Sequence, residues 1–154
     1  MQKKIYITSF ILMLIDLLTK YLVSNYLTFK EVIPNFFNIY LTHNNGAAFS
    51  ILKNNQILLI IISILVLFYI IKYMIPKITT NIEYISISMI IGGTLGNLFD
   101  RIYHNYVIDF ISLKIFKYNF PVFNLADILI TCGAIILIII LIRSDKSANN
   151  LGQK

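Results

Sequence analysis

Residues Ile57–Ile75 read ILLIIISILVLFYIIKYMI, an almost unbroken apolar run with Lys72 near its end. At about 1.5 Å of rise per residue, a run of this length covers a ~30 Å hydrocarbon layer as a helix. A backbone in lipid must satisfy its own hydrogen bonds, so the helix is the conformation it takes there. Three other segments have the same character. Ile5–Val23 is apolar apart from Thr8, Ser9, Asp16, Thr19 and Lys20. Ile82–Phe99 carries Glu83 at its start and a glycine-rich end, and Phe123–Ile142 carries Asn124 and Asp127 early before a long Ile/Leu run. The sequence therefore predicts an all-α polytopic membrane protein of one membrane-embedded domain across residues 1–154. Its four transmembrane helices lie at about 5–23, 57–75, 82–99 and 123–142, its longer loops at about 24–56 and 100–122, and a disordered polar tail at 144–154.

Composition agrees. Of 154 residues, 58% are hydrophobic and 13% charged, and mean hydropathy is +0.78. A soluble domain carries about 25% charged residues, and twenty charges cannot coat a wet surface of this size. A single cysteine excludes an intrachain disulfide framework, and with two distant histidines it excludes a Cys/His zinc site of ordinary spacing. The net charge of +6 raises a nucleic-acid reading, but the basic residues are scattered and no nucleic-acid motif is present. The start, Met1-Gln-Lys-Lys4, is not read as a cleaved signal peptide. The apolar run after it is too long, Asp16 and Lys20 interrupt it, and no small-residue cleavage site follows.

Four spans put both termini on one side. Lys3, Lys4, Lys72, Lys77, Arg143, Lys146 and Lys154 share that side, whereas Lys30, Lys53, Arg101, Lys114 and Lys117 are spread over the longer loops. The bias favours cytoplasmic termini. In the first outer loop Phe36–Leu41 is rich in β-formers, Asn44-Asn45-Gly46 is a turn signal, and Ala47–Ile51 resumes an apolar run. A small β-sheet or cradle at the outer membrane surface is expected there, its Phe and Tyr rings suiting the interface.

With that orientation the polar residues converge. Asp16 and Lys20 fall in the outer half of the first helix, Asn97, Asp100 and Arg101 at the outer end of the third, and Asn124 and Asp127 near the outer end of the fourth, with Asp109 in the loop between. Ionisable groups in spans usually face a protein interior or a cavity, so one polar site just beneath the outer surface is predicted. Asp16 and Lys20, four apart, share a helix face and read first as a buried ion pair, with a catalytic Lys20 as the alternative. Asn124 and Asp127, three apart, also read as an interhelical hydrogen-bonding pair. Asp100-Arg101 reads as a local salt bridge, with lipid phosphate as another partner for the arginine. Gly92, Gly93 and Gly96 read as a stripe for close helix packing. His43 and His104 have no partner pattern and read as interfacial, Cys132 as a buried small hydrophobe, and Ser50 lacks a triad context. Of the seven acids, Glu31, Glu83 and Asp145 read as boundary charges outside the site.

Asp109 and Asp127 are the pair singled out for chemistry. Two neighbouring carboxylates do not both ionise cheaply, so one keeps a proton while the other stays anionic. The anion can deprotonate a water, and the acid can hydrogen-bond the carbonyl under attack and protonate the leaving amine.

At these residues the sequence closely resembles bacterial lipoprotein signal peptidase, the type II signal peptidase family. The resemblance is carried by Asp16-Leu-Leu-Thr-Lys20, Asn44-Asn-Gly-Ala-Ala-Phe-Ser50, Gly92-Gly-Thr-Leu-Gly-Asn-Leu-Phe-Asp-Arg101, Val107-Ile-Asp-Phe110 and Phe123-Asn-Leu-Ala-Asp127, in the family's order over roughly residues 5–142. It implies an intramembrane aspartic endopeptidase of the bacterial inner membrane, with its site near the outer leaflet. Its substrate would be a prolipoprotein cleaved on the N-terminal side of a diacylglyceryl-modified cysteine. The dyad falls on Asp109 and Asp127, and supporting roles fall on Asp16, Lys20, Asn44, Gly46, Asn97, Asp100, Arg101 and Asn124. It implies no cofactor and no metal, membrane lipids as surroundings, no nucleic-acid partner, and a monomer. The sequence departs from the family at Ile128, where serine is frequent, and in having no tryptophan. The rivals are a small proton-coupled transporter, which should place polar groups at several depths, and a non-catalytic assembly subunit, which would not need two acids beside asparagines at one depth.

Overall fold

The structure, a computed structural model, describes residues 2–46 and 52–151. Four helices are long and apolar enough to cross a membrane. Helix α1 spans Gln2–Tyr26, α2 Gln56–Tyr69, α3 Asn81–His104 and α4 Leu125–Leu151. After Tyr69, α2 passes through a π-helical turn, Ile70–Met74, into a 3₁₀ turn, Ile75–Lys77. Pro76 lacks the N–H that would continue the α-helical ladder, which explains the ending there. Helix α3 starts at a capping box. Glu83 N donates to the Thr80 hydroxyl, and Thr80 N donates to the Glu83 carboxylate at 2.9 Å. It ends where Asn105 turns left-handed, φ 62°. Helix α4 continues through Leu151, where the sequence reading placed a disordered tail from residue 144.

Helix α3 is the central post. Of its most apolar window 61% is buried in protein, against 17–22% for the other three, whose outer faces are left for lipid. Glycines set the approach on both sides. A Cβ on Gly92 would lie 2.8 Å from Leu12 Cβ of α1, and one on Gly96 would overlap the Asp16 carboxylate. On the opposite flank a Cβ on Gly93 would sit 2.5 Å from the Ala126 carbonyl oxygen, a backbone atom in the first turn of α4. Gly93→Ala is therefore expected to destabilise the protein by about 1–3 kcal/mol through overpacking, read as a lowered unfolding midpoint in detergent. A midpoint equal to wild type would mean that α3 and α4 do not meet this closely.

The all-α expectation needs correcting, because the structure contains a four-stranded antiparallel sheet in the order β1 (Phe29–Ile33), β2 (Phe37–Asn44), β3 (Val107–Ile115), β4 (Tyr118–Asn119). The first loop forms strand over the expected Phe36–Leu41 run, but its partner is Phe29–Ile33 across a turn at residues 34–36, ahead of the Asn44–Gly46 turn signal. The second loop, not expected to be β, supplies the longest strand. Phe37 pairs with Leu113, Thr42 with Asp109 and Asn44 with Val107. Between Ile39 and Thr42 two residues of β2 oppose one of β3, a bulge that shifts the register just before Asn44. Strand β1 is exposed along its whole length, whereas Val107–Phe110 at the start of β3 is buried against the helices.

Candidate functional site

Lys20 has three polar neighbours for its three N–H groups. Its Nζ lies 2.8 Å from Asp16 Oδ2, 2.9 Å from Asp100 Oδ2, and donates to Asn97 Oδ1 at 2.9 Å. All four side chains are buried. The other oxygen of Asp16 accepts from Ala126 N at 2.8 Å, satisfying a free donor of the first turn of α4. Asp100 also accepts from Ile108 N at 3.1 Å, fixing the start of β3. The Asp16–Lys20 pair is thus present, as the first reading of these residues had it, and it joins α1 to α3, with α4 and β3 tied to its carboxylates. The expected Asp100–Arg101 salt bridge is not formed. Consecutive helical residues point to different faces, so Asp100 turns to Lys20 while Arg101 donates to the carbonyls of Gly46 at 3.3 Å and Asn97 at 3.4 Å.

Asn124 organises the next layer. It sits just before α4, and its side-chain oxygen accepts from Asp127 N at 2.9 Å while its own N–H donates to Asp127 Oδ2 at 3.2 Å. This reciprocal cap places the Asp127 carboxylate at a helix N-terminus, where the backbone dipoles favour an anion. The Asn124 amide group donates to Asp109 Oδ1 at 2.7 Å and reaches Asn97 Oδ1 at 3.1 Å. Asn97 in turn donates to Asp127 Oδ1 at 2.8 Å. On the sheet side Asn44 donates to Asp109 Oδ2 at 2.9 Å and accepts from Gly46 N. One asparagine, Asn124, therefore touches both acids.

Asp109 is 2% exposed. Burial, and then the charge of Asp127, push its carboxyl up to about 7, against the donors Asn44 and Asn124. Near neutrality Asp109 can hold a proton, while each oxygen of Asp127 accepts from an N–H donor. The geometry offers an acid and a base side by side.

The two acids open onto different cavities. Asp109 lines a polar one of about 410 Å³ with Thr42, His43, Asn44 and Lys53. Asp127 lines an apolar one of about 620 Å³ between α2, α3 and α4, with Ser63, Thr94, Ile130 and Thr131. Asn44, Pro121 and Val122 belong to both.

All ten residues singled out from sequence fall in this assembly. Ala47–Ile51, Ser50 among them, and the side chain of Asp145 lie outside the described residues. Glu31 accepts from Asn35 N in the β1–β2 turn and Glu83 caps α3, both away from the acids. Cys132 corrects another expectation: it is exposed, because the neighbouring Gly133 takes the face that meets α3. The end of the bundle nearer the chain termini holds hydroxyls. Thr8 bonds Tyr84, and Ser9, Ser86 and Ser88 are buried. None of these is a carboxylate or an amine. Sequence reasoning missed Thr42, Lys53, Pro121 and Val122 as cavity walls. The proximity of Thr42 to Asn44, and of Pro121 and Val122 to Asn124, was the available signal.

Comparison with known proteins adds an independent line. A family model described as Signal peptidase (SPase) II matches residues 8–143. The lipoprotein signal peptidase of Francisella tularensis subsp. novicida is 42% identical, covering 88% of this chain and 89% of that protein. The one from Staphylococcus haemolyticus is 36% identical over 96% of this chain and 99% of its own length. A solved bacterial membrane enzyme superposes with a TM-score of 0.87 at 34% identity, covering 94% of this chain and 91% of that one.

Proposed function

The chain belongs to the signal peptidase II family, and on that premise we propose that it is an aspartic endopeptidase in which Asp109 and Asp127 activate a water. Membership makes it a bacterial membrane protein that removes signal peptides from lipoprotein precursors, and the transporter reading is not favoured. The observation that carries the finer reading is the pairing of the acids: Asn124 holds both, and Asp109 titrates near 7 partly because Asp127 is charged beside it.

In this reading anionic Asp127 takes a proton from a water as the oxygen attacks the scissile carbonyl. Protonated Asp109 donates to the carbonyl oxygen and stabilises the charge that develops there. Collapse of the tetrahedral intermediate breaks the C–N bond, Asp109 gives its proton to the amine of the departing cysteine, and the proton that Asp127 took from water leaves the pair singly protonated as before. Lys20, Asp16 and Asp100 position Asn97 and the first turn of α4, and through them Asp127. Arg101 and Gly46 hold the Asn44 turn against Asp109. The apolar cavity beside Asp127 suits a diacylglyceryl group or the signal helix, both of which favour lipid. The termini face the cytoplasm and the site lies near the outer leaflet, with the sheet at the membrane surface; the enzyme acts as a monomer.

Purified protein in detergent, given a diacylglyceryl-modified precursor and its unlipidated twin, tests this reading. Cleavage before the lipidated cysteine is expected without any ion gradient, the twin being a poorer substrate. The value of kcat/KM should fall as pH rises through about 7, where Asp109 loses its proton. Equal cleavage of both precursors would remove the lipid from the recognition, and a rate flat through neutral pH would remove Asp109 as the acid.

A further inference from the structure

The polar cavity beside Asp109 carries positive charge that hydrolysis does not use. Lys53, from the segment before α2, lines it together with His43 from β2. His43 is fixed by stacking on Tyr106, with ring centroids 4.2 Å apart. Among the described residues no carboxylate forms an ion pair with Lys53, and residues 47–51 include no acid. Asp109, the carboxylate in the same wall, is engaged by Asn44 and Asn124 and keeps its proton up to about 7.

A bond hydrolysed between Asp109 and Asp127 leaves substrate running toward both cavities. The signal helix and the acyl chains are apolar and match the cavity on the Asp127 side. The polypeptide that follows the lipidated cysteine is the part that must leave the bilayer for water, and the cavity on the Asp109 side has the more polar walls. We propose that the polar cavity seats the first residues after the lipidated cysteine, and that Lys53, with His43, favours acidic over basic side chains there. The proposal rests on the peptidase reading above. A solvent-exposed charge pair of this kind is worth about a two- to five-fold change in rate. It should fade in about 1 M salt, where the screening length is about 3 Å.

Three diacylglyceryl-modified precursor peptides, identical except for Asp, Ser or Lys at the second and third positions after the cysteine, give the test with the full-length protein. At low salt kcat/KM should follow the order Asp, Ser, Lys, with the Asp-to-Lys ratio falling toward one in high salt. Lys53→Gln should flatten the order and Lys53→Glu should reverse it. A serine peptide left uncut by wild type overturns the peptidase reading and the subsite with it. A serine peptide that is cut, with wild-type charge preference absent or unchanged in both variants, overturns the subsite alone.

Discussion

Asp109→Asn and Asp127→Asn are each expected to lower kcat by about 10²–10⁴-fold, the range for removing a positioned acid or base, while the protein stays folded and inserted. Asparagine has the carboxylate's shape, and its oxygen can still accept from one of the two donors that each acid now meets. For Asp109 these are the amide groups of Asn44 and Asn124; Asn124 is held by Asp127 N, but Asn44 can rotate to present oxygen to the new amide at the cost of its bond from Gly46 N. For Asp127 they are the Asn97 side chain and the Asn124 backbone N–H, and the latter cannot rotate. Asp127→Asn should therefore lose somewhat more stability than Asp109→Asn. The pH profiles separate the roles further. An asparagine at 109 can still donate a hydrogen bond to the carbonyl, but it has no proton to release near 7. Its residual activity should lose the alkaline fall that wild type shows. If either variant turned over a lipidated precursor at close to the wild-type rate, the dyad would be misassigned. If the alkaline fall survived in Asp109→Asn, another group would be the acid.

The spans and the candidate site were legible in the sequence for different reasons. An apolar run of about 19 residues has one cheap conformation in lipid, so α2 could be read without any partner. The site was legible because acids are scarce: Asp16, Asp100, Asp109 and Asp127 are four of seven, and charges in spans gather where protein or water can meet them. Strand β3 was not legible. Its partner β2 lies more than sixty residues earlier, and local pattern carries no record of pairing at that distance. Pairings between neighbours were misjudged where chain adjacency stood in for geometry. Asp100 and Arg101 are consecutive but face different ways, and Asp100 meets Lys20 of another helix instead. Cys132 and Gly133 repeat the lesson, since only the glycine meets α3. The role of Asn124 was half visible: its spacing to Asp127 suggested a pair, but its bond to Asp109 depends on β3 folding back onto the start of α4.

Lys20→Met should be strongly destabilising, at about 3–5 kcal/mol, the range for breaking a buried ion pair from one side. Methionine fills much of the volume but removes the only cation among the described residues within ion-pair distance of Asp16 and Asp100, both buried. Neither carboxylate can turn to water, because Asp16 is held by Ala126 N and Asp100 by Ile108 N. Asp100→Asn in the same chain should recover part of the loss by removing one stranded charge, which a double-mutant cycle in detergent would show as non-additivity. Activity should fall too, because Asn97 loses the donor that fixes its oxygen and so points its amide less firmly at Asp127. This outcome separates the two readings of Lys20. A positioning lysine predicts lost stability, with part of the rate returning in the double variant as the fold recovers. A lysine that itself handles protons in the reaction predicts a stable Lys20→Met protein whose rate Asp100→Asn cannot restore. The three neighbours around Nζ leave it no free N–H for substrate, which is why the first result is expected.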